Sequence, residues 1–423
     1  MVSLSRRLQL RKNSLSTPLL FSQSLSSIAP LGSVAAYLTF ALAQAGQLTP
    51  LAAVIGVLLY GAWVVIAYQY SKEVESVGGT YQFARESLPR ILASVTGWLY
   101  WGSYMLFIIS TSSYLLGIVI PMTPLPPSLL PPLQLGLPLM ILGVMLTGVR
   151  PPLYYTLVTS VLEILVIFAL GVLVLTRTGL PSISLGVSPL ELASGSLAVS
   201  YTVAGGGASF FLGKEAVRGG RAVSRAYLSA FTLAAVSVVF AATYEVAAAG
   251  ENLGYLIDSG FPGLAIAQEY ACPGFERLML ILTVNSLIGS IIAAYSALSR
   301  LTTALVRTDL ARSVLLIALI YLGLSSIGLA TNNFFGVYED MTAGSLFSLF
   351  LSHTLLSAGF PFFLKRRKAL KLWKVILSSL SVFVMILMIA FTAFSLGETS
   401  SAGIAAVIVF SILGVIHAGS NMP

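Results

Sequence analysis

The chain has 423 residues, of which 57% are hydrophobic and only 9% charged, with a formal net charge of +8. A soluble chain of this size would need far more charge, so the length belongs to a membrane-embedded protein with no stretch polar enough for a separate soluble domain. The single cysteine, Cys272, excludes an intrachain disulfide, and two histidines in all leave no Cys/His set for structural zinc; the basic excess is read as cytoplasmic-loop charge rather than a nucleic-acid surface.

In chain order, residues 1–18 hold Arg6, Arg7, Arg11 and Lys12 with no small-residue cleavage site after a short apolar core, which predicts an uncleaved cytoplasmic tail. Hydrophobic runs of helical membrane length then predict spans at 19–43, 48–68, 91–120, 133–149, 152–175 and 195–212. Six more are predicted at 226–248, 276–304, 312–329, 344–363, 372–396 and 402–418. The expected fold is an all-α integral membrane protein of about 12 transmembrane helices. A transmembrane barrel would alternate polar and apolar residues in short strands instead.

Lys and Arg set the orientation, because they are retained on the cytoplasmic side. With the N-terminus inside, the cytoplasmic segments hold Lys72, Arg85 and Arg90, then Arg150, then Lys214, Arg218, Arg221 and Arg225, then Arg300, Arg307 and Arg312, then the run from Lys365 to Lys374. Only Arg177 and Arg277 fall outside, and Glu191, Glu251, Asp258, Glu269, Glu276, Glu339, Asp340 and Glu398 are external. An early miscount of one helix would destroy this segregation.

The first and sixth helices are interrupted. The first reads Ser26-Ser27-Ile28-Ala29-Pro30-Leu31-Gly32-Ser33 and the sixth Tyr201-Thr202-Val203-Ala204-Gly205-Gly206-Gly207-Ala208-Ser209. Proline removes a backbone donor and clashes with the preceding turn, and three successive glycines give a helix little reason to hold. Five helices, an odd number, lie from the first break to just before the second, so the second group enters the membrane from the opposite side. The expectation is a five-plus-five inverted repeat over 19–175 and 195–363, with two additional helices at 372–418. Paired breaks in inverted halves point to a midplane solute site of a secondary transporter.

The motifs agree with that reading. Gly78-Gly79-Thr80-Tyr81-Gln82-Phe83-Ala84-Arg85, then Gly97-Trp98-Leu99-Tyr100-Trp101, then Gly148-Val149-Arg150, then Lys214-Glu215-Ala216-Val217-Arg218-Gly219-Gly220-Arg221 fall in the order and spacing of four short motifs. On these strings the chain resembles the amino acid/polyamine/organocation (APC) superfamily of permeases over residues 20–390. It departs from the family where Ala29-Pro30-Leu31-Gly32 replaces a glycine-rich break, where Gly205-Gly206-Gly207 replaces a segment carrying glutamate, and where Gly219-Gly220 replaces Asn-Pro. The resemblance implies alternating-access transport of amino acids or amines.

An unwound helix exposes peptide groups that are costly at lipid depth unless a ligand uses them. The amides near Pro30, Leu31, Gly32 and Ser33, just after Ala29, are expected to hold a substrate carboxylate, since free N–H ends carry partial positive charge. Freed carbonyls near Ser26, Ser27, Tyr201, Thr202, Val203 and Ala204 would take the amino group, with Gly205, Gly206 and Gly207 permitting close backbone approach. Tyr104 on helix 3 and Asn285 on helix 8 are further pocket candidates. No Asp, Glu, Lys or Arg lies in the breaks or mid-helix 3 and 8, so neutral amino acids are expected.

Glu163, in the middle of helix 5, is the clearest acid at membrane depth, and is expected to be protonated or specifically partnered and to carry a coupling proton. Glu245 is read as interfacial at the outer end of helix 7. Ser286 and Ser290 offer a sodium site with helix 1 carbonyls as the alternative coupling device; exchange or uncoupled transport stays open. His353 is read as a packed histidine with a satisfied hydrogen bond in preference to a proton relay. No catalytic cluster, metal set or cofactor motif is present, so no enzyme activity and no cofactor are expected. The expected setting is the plasma membrane, with a small amino acid or amine as partner; a noncatalytic sensor, or an amine or polyamine transporter or exchanger, is the alternative.

Overall fold

A computed structural model describes residues 8–181, 188–250, 252–395 and 397–420; Arg6, Arg7 and Glu251 lie outside the described residues. Helices account for nearly all of the described chain, and the only strand-like pairing among those residues is one isolated parallel bridge, Leu15 with Ala216. Ten helical stretches among the described residues are long and apolar enough to cross a membrane. They expose rows of large apolar side chains, such as Leu58, Leu165, Leu319, Phe383 and Ile416, as lipid requires.

The first helical stretch is made of α1 (Thr17–Ile28), α2 (Pro30–Ser33), a π-helical turn over Val34–Leu38 and α3 (Thr39–Ala45). Gly46 has φ 53° and reverses the chain into α4 (Thr49–Glu73). Next come the short α5 (Thr80–Ser87), α6 (Arg90–Tyr114), α7 (Leu130–Leu146) and α8 (Arg150–Thr178). Helix α9 (Pro189–Val203) has only 15 residues and is followed by a 3-10 stretch over Gly206–Leu212. Then come α10 (Gly219–Ala249), the short α11 (Leu253–Asp258) and α12 (Pro262–Tyr270), α13 (Pro273–Val306), α14 (Leu310–Thr331), α15 (Phe334–Arg366), α16 (Leu372–Ser395) and α17 (Ser400–Ser420).

The core follows from this order. Helix α1 and the 3-10 stretch lie together at the centre, flanked by α8, α10 and α13, while α6 and α15 pack along each other on the far side of the breaks. Helices α16 and α17 lie outside α15, and α7 and α14 pair at the rim. Sequence boundaries fall short at several starts. Helix α9 begins at Pro189 because Ser188 Oγ accepts the Glu191 N–H at 3.2 Å while Glu191 returns a carboxylate to the Ser188 N–H at 2.7 Å, a reciprocal cap ahead of the apolar run. Helix α10 begins seven residues before the predicted 226, and the polar stretch between α10 and α13 contains α11 and α12, too short to show a period.

Arg300, counted among the cytoplasmic-side charges at the end of the predicted 276–304 span, is buried. It is 1% exposed within α13, and its Nε donates to Glu215 Oε2 at 2.7 Å. Glu245, about one turn from the end of α10, is fully buried in the protein, and neither carboxylate oxygen has a hydrogen-bond partner among the described residues.

Candidate functional site

The break in the first stretch is a single left-handed residue. Ala29 has φ 53° and ψ 69°, a conformation that costs an L-residue with a Cβ about 1–2 kcal/mol. Pro30 supplies no N–H, so the helix cannot continue through it. The second break pairs an extended Ala204 with Gly205 at φ 97°, which glycine alone adopts without penalty.

The two breaks touch. Ser27 Oγ lies 2.9 Å from the Gly205 carbonyl and 2.8 Å from the Ser24 carbonyl, which share its one proton, and Ser24 Oγ donates to Ser209 Oγ at 2.7 Å. Tyr104 on α6 reaches the same Gly205 carbonyl at 3.5 Å. A Cβ on Gly206 would stand 3.2 Å from Ile28 Cδ1, and one on Gly207 would stand 2.7 Å from the Tyr100 hydroxyl, so the glycines serve close packing between the breaks.

Beside this junction lies a small cavity of about 40 Å³. Ser27, Ile28, Ser33 and Tyr37 line it from the first stretch, and Tyr201, Ala204 and Gly205 from the second break. Helix α6 contributes Ser103, Tyr104, Phe107 and Ser110, and α15 contributes Thr342, Ser345, Leu346 and Leu349. A second cavity of about 20 Å³ shares Ser33, Tyr37, Phe107 and Ser110 and runs on past Ala29, Gly32 and Ser290 to Tyr114 and Tyr338. Both α6 and α15 therefore place the second cavity toward the end where α6 finishes and α15 begins. Among the described residues, no Asp, Glu, Lys, Arg or His lines either cavity.

The other end is closed by aromatic side chains. His353 stacks on Trp63 with ring centroids 3.9 Å apart, and Tyr100 lies 5.9 Å from His353 and 5.8 Å from Phe211. The packing expected for His353 is present, but neither ring nitrogen has the expected hydrogen-bond partner among the described residues. Beyond this layer, the buried Arg300–Glu215 pair ties α13 to the segment after the 3-10 stretch. The Glu215 carbonyl accepts the Ser14 and Leu15 amides at 2.8 and 2.9 Å, which fastens the N-terminal segment across the same end.

The predicted amide seat has other partners. The Ser33 N–H donates to the Ala29 carbonyl at 2.7 Å, the Gly32 N–H donates to Ser286 Oγ at 3.1 Å, and Ser286 Oγ in turn donates to Glu163 Oε2 at 2.6 Å. The Leu31 amide faces the same Glu163 carboxylate. Of the expected carbonyls, Ser26 accepts the Ala29 N–H at 3.0 Å and Tyr201 accepts the Ala204 N–H at 3.3 Å. Thr202 Oγ1 turns back onto the Val199 carbonyl at 2.6 Å, and Thr202 and Val203 stay clear of the cavity lining. Asn285 stands apart from the cavity, beside Glu163 and bonded through Oδ1 to Tyr155. Ser290 lines the second cavity and donates to the Leu287 carbonyl at 2.8 Å.

The sequence reading placed Tyr104 of α6 at the pocket but missed the rest of the α6 wall and the whole of the α15 wall. Their signal was present: Ser103 and Ser110 lie seven residues apart, and Thr342, Ser345 and Leu349 follow helical spacing, so each set shares a face.

This arrangement of crossing, interrupted helices has relatives among solved structures. Three crystal structures of mutants of the manganese transporter of Eremococcus coleocola are similar to the chain, each with a TM-score of 0.60 at 14% identity, covering 95% of this chain and 95% of the other. The chain shares the fold of a membrane transporter. No protein-family model matches the sequence, and no curated protein matches it. At that identity the likeness carries the architecture, a multi-pass helical membrane protein, and the chemistry must come from this chain's own residues.

Proposed function

We propose that the chain is a secondary transporter of a small amine-bearing organic solute, amino acids among them, working by alternating access and driven by protons through Glu163. The observation that carries this reading is the cavity between two touching helix breaks, closed at one end by an aromatic layer and a buried ion pair and extended toward the other by the second cavity. The closed end carries the Lys and Arg clusters, so on the positive-inside rule it is cytoplasmic and the N-terminus lies inside. Twelve spans in a five-plus-five inverted repeat, with α16 and α17 added, fit the ten long helices together with the Gly46 reversal and the short, broken sixth span. The four APC-like strings support the same placement.

Glu163 is 2% exposed and joined through Ser286 to the Gly32 amide, so a change of its charge acts on the backbone of the first break. A transported cation such as manganese, the cargo named for the structural neighbours, is the less favoured reading here. No group of three His, Cys, Asp or Glu side chains among the described residues could hold a metal ion, and the cavity offers hydroxyls and aromatic faces in place of such ligands.

The test is uptake of labelled alanine and short amines into proteoliposomes under an imposed pH gradient, measured above protein-free liposomes, for wild type and Glu163→Gln. Gradient-driven uptake of at least one of these solutes that is lost in the variant, while exchange of that solute persists at saturating concentration, is the expected result. Full accumulation by the variant would refute the proton role, and thermal stabilisation by a solute without any uptake would make the chain a sensor.

A further inference from the structure

The backbone amides of the first break are where a free carboxylate would dock, and each is already in use. Pro30 has none, Leu31 faces Glu163, Gly32 donates to Ser286, which holds Glu163, and Ser33 donates within its own turn. The Leu31 and Gly32 amides thus point toward α8 and α13, and the anion beside them belongs to the protein. Among the described residues, the cavity lining has no lysine, arginine or histidine that could replace them. A carboxylate carried into it would meet hydroxyls as its only side-chain donors, with the amides of the break already taken, a poor setting for an anion withdrawn from water.

The same lining suits a positive charge. Tyr37, Tyr104, Phe107 and Tyr201 present aromatic rings to the cavity, with Tyr37 and Tyr201 edge to face at 6.4 Å. Ser33, Ser103, Ser110, Thr342 and Ser345 add hydroxyl acceptors, and the Gly205 carbonyl stands at the junction of the breaks. Resting on the transport reading above, we propose that the solute is a small organic ammonium without a carboxylate, such as a short alkylamine or amino alcohol, with Glu163 occupying the seat that an amino acid's carboxylate would need. Glu163 is then the counter-charge of the bound ammonium across α2, and binding the cation releases the Glu163 proton, so solute and proton exchange for one another with charge conserved.

The test is thermal stabilisation of the purified full chain by propylamine, ethanolamine and choline against alanine, butyrate and propanol at equal concentrations. Stabilisation by at least one of the three cations, with none by alanine or butyrate, is expected, and Glu163→Gln should weaken that cation's binding tenfold or more. Because a Gln could disturb the junction, Asn285→Ala, which alters a neighbour of Glu163 without removing the charge, should leave the cation bound. Alanine stabilising as well as or better than the amines, or no response to any of the three cations, overturns the inference. Alanine that binds and is taken up by proteoliposomes sinks the carboxylate-free solute and leaves the transport reading standing, whereas stabilisation by an amine that is never taken up does the reverse.

Discussion

Removing the Glu215 carboxylate is the sharpest perturbation of the closed end. Arg300 and Glu215 are 1% and 2% exposed, and their 2.7 Å contact is the buried charge pair between α13 and the segment that also anchors Ser14 and Leu15. Deleting one partner of such a pair costs about 3–5 kcal/mol, because the remaining charge stays buried without its counterpart. Arg300 keeps two bonds at 3.0 Å to the Ser296 carbonyl and hydroxyl, which places Glu215→Gln near the lower limit, about 3 kcal/mol or roughly a hundredfold in an equilibrium. If the pair forms only while this end is closed, the loss appears as opening. The assay is labelling of Ser24→Cys, in a Cys272→Ser background, by a membrane-impermeant maleimide added from the basic face. Ser24 is fully buried and bonded to Ser209 in the closed arrangement, so labelling should be slow in the parent and rise by one to two orders of magnitude with Glu215→Gln. Replacing both partners with apolar residues should restore slow labelling. Unchanged labelling together with an unchanged thermal midpoint would refute the reasoning.

Three further outcomes follow from local geometry. Ala29→Gly removes the left-handed strain at the first break and should raise stability by up to about 1 kcal/mol, read as a higher thermal midpoint, with a fall contradicting the strain argument. Gly205→Ala places a Cβ at φ 97° and 3.0 Å from the Ser27 carbonyl, so it should destabilise by about 1–3 kcal/mol and weaken solute binding; a neutral effect on both would remove Gly205 from the site. His353→Phe keeps the stack on Trp63 and removes two unpartnered buried nitrogens, so the thermal midpoint should hold or rise by the equivalent of about 1–3 kcal/mol, and a marked loss would show that the imidazole is bonded.

Much of the architecture could be read from residue order because the causes are local. Pro30 and the run Gly205 to Gly207 announce the two breaks, and the long apolar runs announce α4, α6, α8 and α10 to within several residues. What escaped depends on contacts distant in sequence. Nothing around Arg300 distinguishes a helix end in a loop from a guanidinium buried against Glu215, 85 positions away. The partners of the Leu31 and Gly32 amides were equally hidden, since Glu163 and Ser286 reach them from other helices; the chemistry of each residue was visible, but not that they converge. Ser103, Ser110, Thr342 and Ser345 looked like ordinary small residues that let membrane helices approach, and only the crossing of α6 and α15 turns them toward one cavity.

Proteoliposome counterflow tests the central claim most directly, because it requires a solute site reachable from each side in turn and no driving gradient. Liposomes loaded with an unlabelled solute that stabilises the protein should take up the labelled solute transiently with wild type. Ser345→Phe, which fills the cavity from α15, should abolish the overshoot while the protein remains folded by its thermal midpoint. Absence of counterflow with wild type, or an overshoot indifferent to Ser345→Phe, would contradict a transport site between the two helix breaks.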